Sequence, residues 1–549
     1  MLTTPAAVAP ARTAPRTRRI RLAWWAGVAA LSLAAVVRLE PLTAEGLNAD
    51  VGIQFYLAAE TARGAIPLVD FKHGWNVLAW YHLASFYLLS FGQPTLWSFL
   101  WGTAAGPLLA GVVLLTVGRR QGLPAVWLLG LGATVLLISD VPNGKYALPA
   151  LWLLLLRPGG RLDGPRSAVV ARFALAGLLV LTHIELAVML CLGTALYDLL
   201  GARRLTAAAR AARVAALAAG GLVLFSAEVA VYAALGLDPG DVVRFLVLDR
   251  AGVSDSAVAF DASLLRPAGV LGAVFPATLV LAFVPLVWRR LSDTTRLTAG
   301  LHLALGLIAI RKPDEGHLGA ATTLLALLVV LAVWDLSRSE LPLPRLTAPG
   351  VLAAVLGAGW LLTAVLAGFT AGSVLALPLL LGVTALGAVA ARRHDWTFAS
   401  AGAVAAGVVL SLVSLGSMAL AEVRGPRDEL LERTMAAALE PAAQRCLGED
   451  RLAWVVPEPL VLYDTLRLTN PTPYYLFWAG FVDQSPEVIE RIEAGEVPAV
   501  VQQGPWPPSM RRVSPLIESR YELCAEVLTP AVPDQGVSER SVRIWVDRS

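Results

Sequence analysis

The chain has 549 residues, of which 56% are hydrophobic and only 15% charged, and its mean hydropathy is +0.65. Soluble globular domains carry about a quarter charged residues, so a soluble enzyme is excluded and a polytopic membrane protein is implied. The net charge of +3 is too small to point to nucleic acid as a partner.

The chain opens on a basic segment, residues 1–21, which runs into the apolar stretch "LAWWAGVAALSLAAVV". An uncleaved first helix and a removed signal peptide both fit this start. No clean small-residue cleavage site precedes Arg38, which favours the helix. Basic loops recur at 16–21, 118–122, 157–166, 201–213, 288–296, 337–345 and 391–396. The positive-inside rule places them all in the cytoplasm. Residues 38–95, 139–145, 182–185, 236–266, 311–317, 367–372 and the tail from Ala421 then lie outside. The expected fold is an all-α polytopic domain over 22–420, with about 13 membrane crossings. The N-terminus is expected inside the plasma membrane and the C-terminus outside.

This topology makes one demand: residues 77–91, "VLAWYHLASFYLLSF", must not cross. The segment is short for a span and carries Tyr81, His82 and Tyr87, which suits a helix lying at the outer interface. An ordinary second span is the alternative, and it breaks the charge rule at "GRRQG". The apolar run Tyr146 to Leu156 is also short for a span; such helices often flank a cavity.

Beyond Ala421 the long apolar runs stop. A helix is expected over "RDELLERTMAAALEPAAQRC" and another over "SPEVIERIEAGE". Strands are expected at "RLAWVVP", "PLVLYD", "VPAVVQQ" and "RSVRIWVD". Residues 421–549 thus read as a small extracytoplasmic α/β domain. Of the three cysteines, Cys191 lies in a membrane helix and reads as a packed residue. Cys446 and Cys524 both fall in the outer domain, where disulfides persist. A bond between them is expected, although spacing alone does not fix its geometry. No second ligand pair makes these cysteines a metal site.

Most acidic and histidine residues outside the basic loops fall on the outer side. Asp50, Asp70, Lys72 and His73 are in the first loop, Asp140 and Lys145 in the second. His183 and Glu185 interrupt the apolar run "LTHIELAVML". Arg311, Lys312, Asp314, Glu315 and His317 stand together before another helix. Ionisable groups near a membrane are costly and tend to line a cavity or functional path. Each also has a plainer reading: Asp140 as turn chemistry, His183 and Glu185 as an interfacial hairpin, Asp314 or Glu315 as a helix cap. Glu228 lies within an apolar run and needs a partner that the sequence does not name.

The first loop resembles a known family. An acidic residue after the first helix is followed by "YLAAETARGAIPLVDFKHGWNVLAWYHLASFYLLSFG". The succession of an alanine-rich helix, "RG", "P", "DF", a glycine-containing turn and an aromatic helix ending in "FG" is similar to the GT-C class of integral-membrane glycosyltransferases. That class includes the protein O-mannosyltransferases and aminoarabinose transferases. "LTHIELAV", "IRKPDEGHLGAATTLLALL" and "NPTPYYLFWAGF" resemble later outer segments of the class. The resemblance implies a polyprenyl-phosphate-linked sugar donor and a glycan, lipid or protein acceptor. It also implies catalysis on the outer face, with the catalytic acid in the first loop.

General chemistry supports those roles. Glycosyl transfer from a lipid phosphate needs a base for the acceptor hydroxyl and cations for the leaving phosphate. Asp50 is the first candidate for the base and Asp70 the second. Lys72, Arg311, Lys312 and Lys145 are candidates for the phosphate. His73, Asp140, His183, Glu185, Asp314 and His317 are candidates for a supporting polar site. No cofactor is called for; a divalent metal near Asp50 and Asp70 stays open, without ligand spacing to support it. Two other classes compete. A transporter or flippase would line a pathway with the same residues, but no inverted repeat is visible. A non-catalytic assembly protein would require neither Asp50 nor Asp70.

Overall fold

The computed structural model describes residues 49–72, 75–123, 128, 147–202, 204–248, 288, 290–311, part of 324–338, 428–456, 462–463, 466–473, 485–506, 510–529 and 540–548. The first loop forms α1 (Ala49–Ala62) and α2 (Val77–Ala84), the latter extended by a 3-10 turn, Ser85–Ser90. Further helices follow: α3 (Leu96–Arg120), the short α4 (Ala147–Leu156), α5 (Pro165–Thr182), α6 (Ile184–Leu196) and α7 (Ala207–Ala234). A π turn, Tyr197–Gly201, prolongs α6. The short α8 (Pro239–Val243) continues as a π turn, Arg244–Leu248, and α9 spans Asp293–Arg311.

Three described helices, Pro165–Thr182, Ile184–Gly201 and Ala207–Ala234, are long and apolar enough to cross a membrane. The expected crossings after Arg311 fall largely outside the described residues. Residues 77–90 form only a short apolar helix, as do 147–156.

The helices run antiparallel, and their polar ends show it. Where α3 ends, the Gln121 side chain donates to Thr294 Oγ1 near the start of α9, 2.8 Å. Arg296, in the first turn of α9, donates to Gly201 O after α6. Arg172 of α5 grips Asp198 with two nitrogens at 2.7 and 2.8 Å, and Arg213 of α7 reaches Asp163 at 2.9 Å. The described basic loops therefore gather at one end of the bundle. In between, glycines let backbones touch. A Cβ on Gly220 of α7 would lie 2.1 Å from Phe173 O of α5, and one on Gly193 of α6 would lie 2.6 Å from Gly300 O of α9. Small residues at such crossings are how helices pack where no water drives association.

The tail begins with α10 (Asp428–Leu447) and builds a four-stranded sheet. Its strands are β1 (Trp454–Val456), β2 (Ala499–Gln503), β3 (Tyr521–Thr529) and β4 (Arg540–Asp547), in the order β1-β2-β4-β3. Only β1 and β2 are parallel; the other pairs are antiparallel. Helices α11 (Ser485–Glu493) and α12 (Ser514–Arg520) lie between strands in the sequence.

The side-chain period of two splits the sheet into two cores. Trp454, Val456 and Val500 face Val488, Ile492 and Ile517 of the two helices. Val455, Val501, Val542 and Ile544 join Leu439 and Ala443 of α10 and, from the first loop, Phe55, Leu57, Trp80 and Tyr87. First loop and tail thus share one hydrophobic core, which fixes them at the same end of the bundle. Tyr56 and Tyr463 mark the seam, with ring centroids 5.0 Å apart.

Two expectations for the tail change. "PLVLYD" is not a strand where it is described: Leu462 and Tyr463 are helical. Leu462, Tyr463 and Leu466 bury a face at helical rather than strand spacing, and Tyr463 Oη accepts from Val455 N (2.8 Å), closing the outer edge of β1. β3, not expected, supplies the opposite edge. A bulge between Leu523 and Ala525 leaves Cys524 as the extra residue, and a bulge re-aims its side chain. Cys524 is bonded to Cys446 of α10, with Cα atoms 5.9 Å apart.

Candidate functional site

At the end of the bundle opposite the basic loops, the described residues bring together Lys72 of the first loop, the break at His183 and Glu185, and the tail. The "RG" of the first loop is a helix stop. Gly64 takes φ 106°, and its N–H and that of Ala65 close back onto Thr61 O and Glu60 O. This double closure by a left-handed glycine ends α1 without stranding its carbonyls. Asp50 is the second residue of that helix.

"IPLVDF" is a tight loop. Asp70 Oδ2 accepts from Ile66 N at 2.6 Å, and Leu68 N donates to Phe71 O at 2.8 Å. Buried Leu68 is held at φ 65°, a conformation that non-glycine residues adopt only under constraint. Asp70 is exposed, and one of its oxygens is engaged in holding the turn.

Lys72 follows at a junction of three elements. Its N–H donates to Pro473 O of the tail (2.8 Å), and its ammonium stands 5.8 Å from the centroid of the Phe245 ring, in the π turn after α8. Burial lowers the Lys72 pKa; Glu487 of α11 and Asp241 of α8 oppose that shift, and Arg491 of α11 adds to it. Lys72 is therefore a half-buried cation between the first loop, α8 and the tail. His73 lies outside the described residues.

Next, Trp75 stacks on Trp80 at 5.0 Å, and Phe71 meets the edge of Trp80 at 5.6 Å. This aromatic wall reaches the break between α5 and α6. His183 adopts an extended backbone there and caps α6: Leu186 N donates to its Nδ1 at 3.4 Å. The His183 ring is buried, 6.5 Å from that of Trp75. Glu185 occupies the first turn of α6, half-buried. The interruption of the apolar run at His183 and Glu185 is thus a true helix break.

Arg311 is the last residue of α9. Because α6 and α9 pack antiparallel through Gly193 and Gly300, α9 ends on the side where α6 begins. Asp140, Lys145, Lys312, Asp314 and His317 lie outside the described residues. Among the described residues, no group of three or more histidine, cysteine or carboxylate side chains is arranged to hold a metal ion.

Glu228, in the apolar run of α7, has no partner that the sequence names; the structure supplies two. It sits six residues before the end of α7, buried, and accepts from Asn76 Nδ2 at 3.0 Å and from Val77 N at 2.9 Å. Asn76 Oδ1 in turn accepts from Ile184 N at 3.3 Å. Asn76 escaped sequence reasoning because an asparagine before a helix looks like an ordinary cap. The only signal was a buried carboxylate needing donors.

No protein-family model matches the chain, and no curated protein matches it by sequence. Solved structures do. The structure of ArnT from Cupriavidus metallidurans in the apo state is 14% identical, with a TM-score of 0.49, over 90% of this chain and 92% of that one. The structure of the same ArnT bound to undecaprenyl phosphate is 16% identical, with a TM-score of 0.52, over 93% of this chain and 96% of that one. At this identity the likeness speaks for architecture alone: the chain has an ArnT-like fold along nearly its whole length.

Proposed function

We propose that the chain is a membrane glycosyltransferase that uses a polyprenyl-phosphate-linked sugar and acts on the extracytoplasmic face. The observation that carries this reading is a convergence at one end of an ArnT-like fold. The first-loop segment with Lys72, the His183–Glu185 break and the tail domain meet there, opposite the basic loops. The ArnT structure similar to this chain holds undecaprenyl phosphate. A lipid phosphate needs a cation at the membrane surface, and Lys72 is a half-buried one.

In the proposed reaction the acceptor oxygen attacks the anomeric carbon as the bond to phosphate oxygen breaks. Polyprenyl phosphate leaves with the electron pair, and the acceptor proton passes to a carboxylate. Asp50 is preferred as that base because Asp70 is engaged with Ile66 N. Lys72, with Arg311, Lys312 and Lys145, is assigned to the phosphate. His183, Glu185, His73, Asp140, Asp314 and His317 are assigned to the surrounding polar wall. The acceptor is a glycan, lipid or protein of the cell envelope.

The test is genetic and chemical. Wild type, Asp50→Asn and Asp70→Asn are expressed in a strain lacking the gene, and envelope glycans and lipid-linked sugars are profiled. Asp50→Asn is expected to abolish one glycan and accumulate its lipid donor, since loss of a general base costs roughly 10²–10⁴ in rate. Unchanged glycans in both variants reject a catalytic carboxylate in this loop.

A further inference from the structure

Glu228 is 4% exposed, and Asn76 is fully buried. A buried carboxylate is tolerated only when donors surround it. Among the described residues the donors on Glu228 are the Asn76 amide and the first N–H of α2. Glu228 therefore caps α2 from a helix 151 positions away in sequence. The Asn76 amide uses its nitrogen on α7 and its oxygen on Ile184 N, the first amide of α6. One side chain thus ties the first loop to α7 and to the α5–α6 break. The aromatic stack of Trp75 and Trp80 flanks this tie, and Trp75 carries it to His183.

We infer that Glu228 and Asn76 are positioning residues that lock the first loop against the start of α6. They hold the segment bearing Lys72 in register with His183 and Glu185. The inference rests on the reading of this end as the donor site. Neither residue touches the reacting groups; they act by fixing what does. Their geometry also offers a way to move the charge while keeping every hydrogen bond. Glu228→Gln turns one acceptor oxygen into a donor, which faces another donor. Asn76→Asp sets a second carboxylate against Glu228. In the double variant the amide at position 228 accepts from Val77 N and donates to the carboxylate at position 76. The other oxygen of that carboxylate still accepts from Ile184 N.

The test compares full-length wild type, E228Q, N76D and N76D/E228Q in lipid nanodiscs. Hydrogen exchange at the amides of Val77 and Ile184 is read without ligand, affinity is read with undecaprenyl phosphate, and melting temperature reports folding. Each single variant is expected to exchange about tenfold faster and to bind about tenfold more weakly, the scale of one lost buried hydrogen bond. The double variant is expected to return to within about twofold of wild type in both readouts. Single variants that exchange and bind like wild type overturn the lock, as does a double variant no better than the singles. Faster exchange with unchanged affinity leaves a local cap and overturns the positioning role. If wild type fails to bind undecaprenyl phosphate, the donor reading falls. The exchange pattern, with its recovery or not in the double variant, then decides the lock alone.

Discussion

Individual residues show where charge is put to use and where it is only tolerated. Lys72 is the clearest case. Burial lowers its pKa, so between that lowered value and the ordinary lysine value the unfolded chain binds more protons than the folded one. Stability contributed by this group therefore rises with pH across that window, and below it the buried ammonium is a net cost. Lys72→Met is expected to leave the melting temperature unchanged or raised at neutral pH, because the Lys72 N–H to Pro473 bond survives. If Lys72 holds the donor phosphate, the same variant loses affinity for undecaprenyl phosphate; an unaltered titration in nanodiscs removes Lys72 from the site. Arg172 behaves oppositely. It is 1% exposed and doubly bonded to Asp198, which is fully buried. Arg172→Met strands that carboxylate, with Arg213 only at 3.7 Å, and is expected to cost about 3–5 kcal/mol. Combining it with Asp198→Leu removes the stranded charge and is expected to recover most of the loss, as read by thermal unfolding in detergent.

Helices and strands differ in how much of their placement the sequence discloses. The ends of α1, α5 and α6 were legible from "RG" and "THIE", because glycine stops and polar breaks act locally. The strands β1 and β2 were legible as short apolar runs bounded by proline and polar residues, and β4 from alternation of apolar residues. β3 was not, because its glutamates 522 and 526 flank a bulge and the period of two slips there. The crossings of α5 with α7 and of α6 with α9 were also hidden: glycine in an apolar run looks the same whether or not a neighbour presses on it. Gly193→Ala places a methyl 2.6 Å from Gly300 O and 2.8 Å from Leu301 Cα, both backbone atoms that move only with their helix. It is expected to destabilise by about 1–3 kcal/mol. Gly221→Ala, whose Cβ meets only Val180 Cγ2 at 3.4 Å, is the matched control, and thermal unfolding of both variants checks the difference.

Across the whole molecule the tail is an integral part of the polar end. Its sheet gives one face to α11 and α12 and the other to the first loop, so displacing it exposes Phe55, Trp80 and Tyr87 as well as its own core. The Cys446–Cys524 bond closes a loop of sequence separation 78 and ties α10 to β3. Cys446→Ser with Cys524→Ser is expected to lower stability by about 4.5 kcal/mol, the chain-entropy value for a loop of that length. Because the core is shared, protease sensitivity in the variant is expected to rise in residues 49–91 as well as in the tail, which limited proteolysis with mass mapping checks. By itself the sequence determined the membrane class, the helix breaks, the strand-bearing tail and the shortness of the apolar helix at residues 77–90. These follow from composition, local capping and periodicity, which are properties of neighbouring residues. Only the tertiary structure decided that Asn76 belongs to Glu228 and Ile184, that Lys72 meets the tail and that the first loop and the sheet share a core. Those pairings join residues more than a hundred positions apart, and hydrogen bonding and burial select them only once the chain has packed.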